Sequence, residues 1–343
     1  MKPPLVHRSI FSVLWLALAI ACVAFWATPS MAYATEATET KVTLQTSLDT
    51  MARQAKPGLF GIAVLDLQSG VEWRVNADHA YPMMSVFKAP VAAAVLSLID
   101  DGSLSLQQKV ILSRADVQDG SAVPSIGAHF HGERMAFTVD QLLTAAISES
   151  DSTAADALVK LVGGPGAVTA YLRKHGIEGM RVDMDEAGIA RLFANLPPGE
   201  KPPGDETPQQ AWQRRQHGYA AFLADPRNRS TPDAAVSFLR KLWSNELLSK
   251  ASTQRLIRLM ELQTIPNRIR AGLPAGVRWA DKCGTADSSG GETAAYNDIG
   301  ILTGPDGHVV IITAFLTDSH ASKEVQDGMF AQLGRAVAAA LYP

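Results

Sequence analysis

Strand-like segments occur only at the two ends of this chain, and the long stretch between them reads as helix and loop. Leu59–Leu67 and Val71–Val75 are short apolar runs joined by a turn at Gln68-Ser69-Gly70. A second group, Val277–Thr285, Tyr296–Leu302 and His308–Leu316, follows near the C-terminus, its last two members separated by Gly304-Pro305-Asp306-Gly307. Between the groups, Val139–Ser148, Thr153–Val162, Ala167–His175, Pro232–Ser244 and Ser252–Leu262 carry helical patterns. Helices are also predicted over residues 42–55, with Leu44, Leu48 and Met51 at helical spacing, and over Ser322–Tyr342. Strands from opposite ends imply one sheet assembled from distant parts of the chain, with an α-helical insert on one side. The predicted class is α+β, with an α/β part over about residues 42–100 and 265–343 and an all-α part over about 101–264. A cleft between the two parts is where groups from both can meet.

The remaining segments bear on compartment and surface. Lys2, His7 and Arg8 precede an apolar run from Phe11 to Ala27, followed by Pro29-Ser30-Met31-Ala32-Tyr33-Ala34. A basic start, an apolar centre and a small-x-small end predict a signal peptide over residues 1–34, leaving 35–343 as the mature chain. The competing reading is a permanent anchor, because the run is almost long enough to span a membrane, but the cleavage pattern favours removal. A periplasmic or secreted protein without a stable membrane anchor is therefore expected. Cleavage leaves 29 of the 31 basic residues against all 34 acidic ones, a net charge of −5, which argues against nucleic acid and anionic membranes as partners. Cys22 leaves with the leader, so Cys283 stands alone and no internal disulfide can form.

Within the middle, Leu196–Ala224 is dense in proline and glycine and then polar, and it reads as part of a surface insertion over about residues 191–230. Thr207–His217 is its one helical candidate. His129-Phe130-His131 has no further ligand set around it and reads as a surface loop, so neither metal nor cofactor is expected.

The chemistry begins at Ser85-Val86-Phe87-Lys88. Val86–Ile99 reads as an alanine-rich apolar helix, with Pro90 close enough to its start to be tolerated. A serine there and a lysine one turn later share a face, and serine needs a neighbour to take its proton. The free N–H groups of a helix start also favour negative charge on an acylating substrate. Downstream, Ser148-Glu149-Ser150-Asp151-Ser152 links two helices, with Asp151 or Ser152 as a cap. Asp281-Lys282-Cys283-Gly284-Thr285 ends a strand, where Gly284 would let an acyl group approach the backbone.

Taken together these stretches resemble the class A β-lactamases, whose Ser-x-x-Lys, Ser-Asp-Asn and Lys-Thr-Gly elements recur here in order as Ser85-x-x-Lys88, Ser150-Asp151-Ser152 and Lys282-Cys283-Gly284. Thr293–Gly300, with Gly284-Thr285, resembles most the subgroup that includes the PER-type enzymes. The resemblance implies a β-lactamase/penicillin-binding-protein-like fold, with a five-stranded antiparallel sheet flanked by helices beside an all-α subdomain. It also implies a monomeric serine hydrolase acting on a small-molecule β-lactam. By the same resemblance Ser85 is the acylated nucleophile, Lys88 assists its deprotonation, and Ser150 relays a proton to the departing nitrogen. Glu186, in Arg181–Ala190, is the base for the deacylating water. Lys282, Cys283, Gly284 and Thr285 line the substrate, Ser152 contacts it, and Arg268 attracts its carboxylate. The backbone N–H groups of Ser85 and Thr285 form the oxyanion hole.

Several positions depart from the family pattern. Ser152 replaces an asparagine, Cys283 a threonine or serine, and Ala190 an asparagine that commonly helps hold the hydrolytic water. Met184 and Asn228 fall where an Arg–Asp pair often closes the Ω-loop. Ser152 and Cys283 are expected to weaken substrate recognition and acylation, and Ala190 with the altered loop to slow deacylation. A D,D-peptidase-like acyltransferase and a catalytically weak binder of cell-wall fragments or β-lactams are the alternative readings. Glu186 favours hydrolysis over the first of these, while Ser152 and Cys283 keep the second open.

Overall fold

The computed structural model describes Met1 and residues 42–342, apart from 119–122, 124, 198, 199 and 287. The predicted leader lies outside the described residues. Five strands form the central antiparallel sheet: β1 (Leu59–Asp66), β2 (Glu72–Val75), β7 (Arg278–Thr285), β9 (Glu292–Thr303) and β10 (Val309–Ser319). Their order is β2-β1-β10-β9-β7, and the two-residue β8 (Ser288–Ser289) adds to β9. The two ends of the chain meet where β1 pairs with β10, Leu59 opposite Thr317 and Asp66 opposite Val310.

Alternation along these strands divides the core into two layers. Ile62 and Val64 of β1, with Val310, Ile312, Ala314 and Leu316 of β10, face the first and last helices, where they pack on Leu44, Leu48, Phe330 and Leu333. Ala63, Leu65, Ile311 and Phe315 face the other way, into the helical part. The helix Lys88–Asp100 is buried from Lys88 to Leu96, as expected of one apolar on every side. It packs against the helices Val139–Ser148, Ser152–Leu161 and Lys250–Glu261.

The helical part also carries strands that sequence patterning did not reveal. β4 (Lys109–Ser113) pairs with β5 (Arg134–Thr138), and the two-residue β3 (Tyr81–Pro82) pairs with β6 (Arg229–Ser230). The proline-rich insertion differs more from its expected form. It ends in a helix over Pro208–Ala224, longer than the predicted Thr207–His217, begun by a Thr207/Gln210 capping box with proline at its first position. This helix packs against another over Glu186–Ala194. Phe222 stacks on Phe193 with ring centres 4.1 Å apart, and a Cβ on Gly218 would lie 2.0 Å from the Phe193 carbonyl oxygen. The insertion therefore braces the segment that begins at Glu186.

Candidate active site

Ser85 lies in a 3-10 turn, Met84–Phe87, which runs directly into the Lys88–Asp100 helix. Three contacts position that turn. The Asn297 amide of β9 donates to the Pro82 and Met83 carbonyls at 2.8 and 3.1 Å, and the Met83 N–H donates to the Asn228 carbonyl at 3.0 Å. β7 also passes so close that a Cβ on Gly284 would lie 2.3 Å from the Met83 carbonyl oxygen. Gly284 is thus required by the backbone of the serine turn, a reason separate from the approach of an acyl group.

Lys88 is 1% exposed and its ammonium is surrounded by acceptors. It faces Glu186 Oε1 at 2.9 Å and donates to the Ser150 carbonyl at 2.6 Å, with the Ser152 and Ser150 hydroxyls at 3.4 and 3.5 Å. The Ser85 hydroxyl donates to the same Glu186 oxygen at 3.4 Å. Ser150 has a left-handed backbone, φ 59°, which turns both its carbonyl and its hydroxyl toward Lys88. Asp151 then caps the next helix, Ser152–Leu161, accepting from Ala154 N–H at 2.8 Å.

Lys282 is fully buried and donates to Ser150 Oγ at 3.0 Å and to the Cys283 carbonyl at 3.1 Å. Burial, aided by the nearby positive Lys88, pushes its pKa down to about 8. Its neighbour Cys283 is 3% exposed and its thiol accepts from the Gln263 amide at 3.5 Å. Thr285 is the exposed residue of this strand segment. Arg268 is buried in a left-handed turn, stacks 4.0 Å over Tyr296, and donates to the Asn297 carbonyl at 2.8 Å and to the Thr285 hydroxyl. The guanidinium thus lies behind Thr285 and orients it.

Glu186 is the first residue of its helix, capped by Asp185, whose carboxylate accepts from Gly188 N–H at 2.7 Å. Two residues to which sequence reasoning gave no site role hold this start in place. Asp156 accepts from the Glu186 and Ala187 N–H groups at 2.6 and 3.0 Å, and burial, with the Asp185 charge beside it, raises its pKa to about 7. Asn228 accepts from the Asp183 and Met184 N–H groups at 2.6 and 2.8 Å and donates to the Met184 carbonyl at 2.9 Å. The amide of Asn228 thereby closes the loop where an Arg–Asp pair was missing. Asp156 had a signal in the sequence, since it lies one helical turn after Ser152 and faces the same way. Asn228 was marked in the sequence only as a departure from the usual Arg–Asp pair, with nothing to show that its amide would close the loop.

These groups bring a serine, two buried lysines, a second serine and a carboxylate into one cleft between sheet and helices. Comparison with known proteins agrees with that chemistry. The sequence model of the "Beta-lactamase enzyme family" matches residues 43–341. The chain belongs to this family. The extended-spectrum β-lactamase PER-1 of Pseudomonas aeruginosa is 32% identical over 281 residues, 82% of each chain. Among solved structures, the TLA-3 extended-spectrum β-lactamase superposes with a TM-score of 0.75 at 28% identity, covering 88% of this chain and 100% of the other. A β-lactamase from Chitinophaga pinensis gives 0.73 at 29% identity, with 85% and 97% covered. An ancestral class A β-lactamase gives 0.71 at 32%, with 87% and 100% covered. The chain is a class A β-lactamase, a hydrolase that opens β-lactam amides through a serine acyl-enzyme.

Proposed function

We propose that Ser85 is the residue acylated in this β-lactamase, with Lys88 assisting its deprotonation, and that Glu186 serves as base for the deacylating water. The observation that carries this reading is the shared carboxylate oxygen, 3.4 Å from the Ser85 hydroxyl and 2.9 Å from Lys88. The Lys88–Glu186 pair holds positive charge beside the nucleophile and the developing oxyanion, assists the departure of the Ser85 proton, and leaves the carboxylate placed to take the proton of the water that attacks the ester. Ser150, held by both lysines, returns a proton to the lactam nitrogen as it leaves. Lys282, Ser152 and Thr285 receive the substrate, whose carboxylate meets Lys282 and the Thr285 hydroxyl that Arg268 orients. Cys283 and Gly284 shape the strand on which these groups sit. The backbone N–H groups of Ser85 and Thr285 form the oxyanion hole.

Deacylation is the slower half. Ala190 is exposed one turn after Glu186, and its methyl group offers the attacking water neither donor nor acceptor. The mature enzyme begins near residue 35, is exported to the periplasm or beyond, and acts as a monomer. The leader pattern over residues 1–34 supports the reading of export. Intact-protein mass spectrometry after mixing with a penicillin tests the reading. A transient adduct is expected on the wild type, a lasting one on Glu186→Ala with turnover reduced at least about a hundredfold, and none on Ser85→Ala. Fast wild-type hydrolysis with no transient adduct refutes slow deacylation, and an adduct on Ser85→Ala refutes the nucleophile.

A further inference from the structure

Far along the sheet from Ser85, three side chains with metal-binding atoms meet at the ends of two strands. Glu292 opens β9, Asp318 lies near the end of β10, and His320 follows it. One ligand atom from each lies within 4.8 Å of the others, and His320 Nδ1 is 3.6 Å from Glu292 Oε1. Donors held 2.0–2.1 Å from a tetrahedral zinc ion lie roughly 3.3–3.4 Å apart, so one pair is already near its bound spacing. The remaining distances close with small side-chain rotations, since Glu292 and His320 both reach solvent.

A second observation comes from a different part of the chain. Tyr219, on the Pro208–Ala224 helix, is 4% exposed and its hydroxyl has no hydrogen-bond partner. It faces Asp318 and Glu292, with Asp318 near enough to act on it but without the geometry of a full hydrogen bond. Its hydroxyl is a donor. A buried hydroxyl left without a partner is costly, and a carboxylate drawn in and ordered by a cation is the acceptor it lacks.

The geometry points to a divalent zinc site formed by Glu292, Asp318 and His320, with the Tyr219 hydroxyl donating to the Asp318 carboxylate. An imidazole with two carboxylates suits zinc, whereas calcium and magnesium take oxygen ligands, and two negative charges match the ion. Three protein ligands leave a fourth position for water. In sequence only Asp318-x-His320 is local, so no ligand spacing announced the site. Glu292 lies four residues along β9 from Tyr296, which pairs with Thr285, so the ion sits on the order of 13 Å from the substrate strand. Its role is to clasp the insertion helix to the end of the sheet.

Titration of the chelator-stripped mature protein with zinc chloride, against a competing indicator, tests this. One equivalent is expected to bind, with affinity at least tenfold weaker in His320→Ala and in Glu292→Gln and unchanged in Cys283→Ser. Tyr219→Phe retains all three ligands and is expected to bind about 10–100-fold more weakly. Zinc should also slow amide hydrogen exchange across residues 208–224 in the wild type and not in Tyr219→Phe. No binding by the wild type, or unchanged binding in both ligand variants, overturns the site. Unchanged affinity and exchange in Tyr219→Phe overturn the clasp.

Discussion

The groups assigned to acylation and those assigned to deacylation are held in different ways. Ser85, Lys88, Ser150 and Lys282 sit where the buried Lys88–Asp100 helix, the sheet and the Ser152–Leu161 helix converge, and Lys88, Ser150 and Lys282 are almost fully buried there. Glu186 instead begins a helix of which only Ile189 is buried. What fixes it is a set of polar contacts from Asp156, Asp185 and Asn228 to its backbone. A core built from large apolar residues tolerates a lost hydrogen bond better than a loop built from such bonds. The deacylating half should therefore fail first when the protein is perturbed.

Asn228→Ala should break this comparison most strongly. It leaves the Asp183 and Met184 N–H groups and the Met184 carbonyl without their partners, a loss of ~2–4 kcal/mol. The Asn228 carbonyl still meets the Met83 N–H, so the serine turn keeps its support. Acylation rates should stay within a few-fold of wild type while deacylation slows by tenfold or more, read as a longer-lived adduct in stopped-flow and mass measurements. Equal slowing of both steps would show that the two halves are one mechanical unit.

Lys282 tests the acylating half through pH. A lysine is cationic below its pKa, and with that value lowered to about 8 the charge fades just above neutrality. For a carboxylate-bearing substrate, kcat/KM should fall above pH 8, approaching tenfold per unit, while the deacylation rate changes little. A flat profile to pH 9.5 would mean that Lys282 keeps its proton or does not meet the substrate carboxylate.

The difference between the halves also decides what was legible in the sequence. The acylating groups sit on regular elements whose ends are marked: Ser85 and Lys88 at the start of an apolar helix, Lys282 at the end of a strand, and Asp151 as a cap. The sheet was legible for the same reason, as its strands are near-continuous apolar runs between turn residues. The support of Glu186 was not. Asn228 acts from a left-handed position across 44 and 45 residues of sequence, and no local pattern encodes such a contact. The insertion was misjudged because its prolines were weighed above Thr207 and Gln210, which mark a helix start. Its long polar run hid the one face, with Gly218, Tyr219 and Phe222, that is buried.

The smallest expected effect on catalysis concerns Asp156, whose carboxyl has a folded pKa of about 7 against an ordinary 3.8. A value raised in the fold means that the protonated form is the favoured one there. The stability it contributes is complete below about pH 4 and is lost as pH rises toward 7. Above that, an ionised Asp156 sits beside Asp185 and Glu186 and holds the helix start by its two N–H contacts against their repulsion. Asp156→Asn keeps the side-chain carbonyl as an acceptor and removes the charge, so it gives up one of the two contacts and all of the repulsion. Urea midpoints measured from pH 4 to 8 should decline across this window in the wild type and stay nearly level in Asp156→Asn. If the two curves run parallel, the carboxylate stays ionised throughout, and the Glu186 segment is less electrostatically strained than its crowding with acids implies.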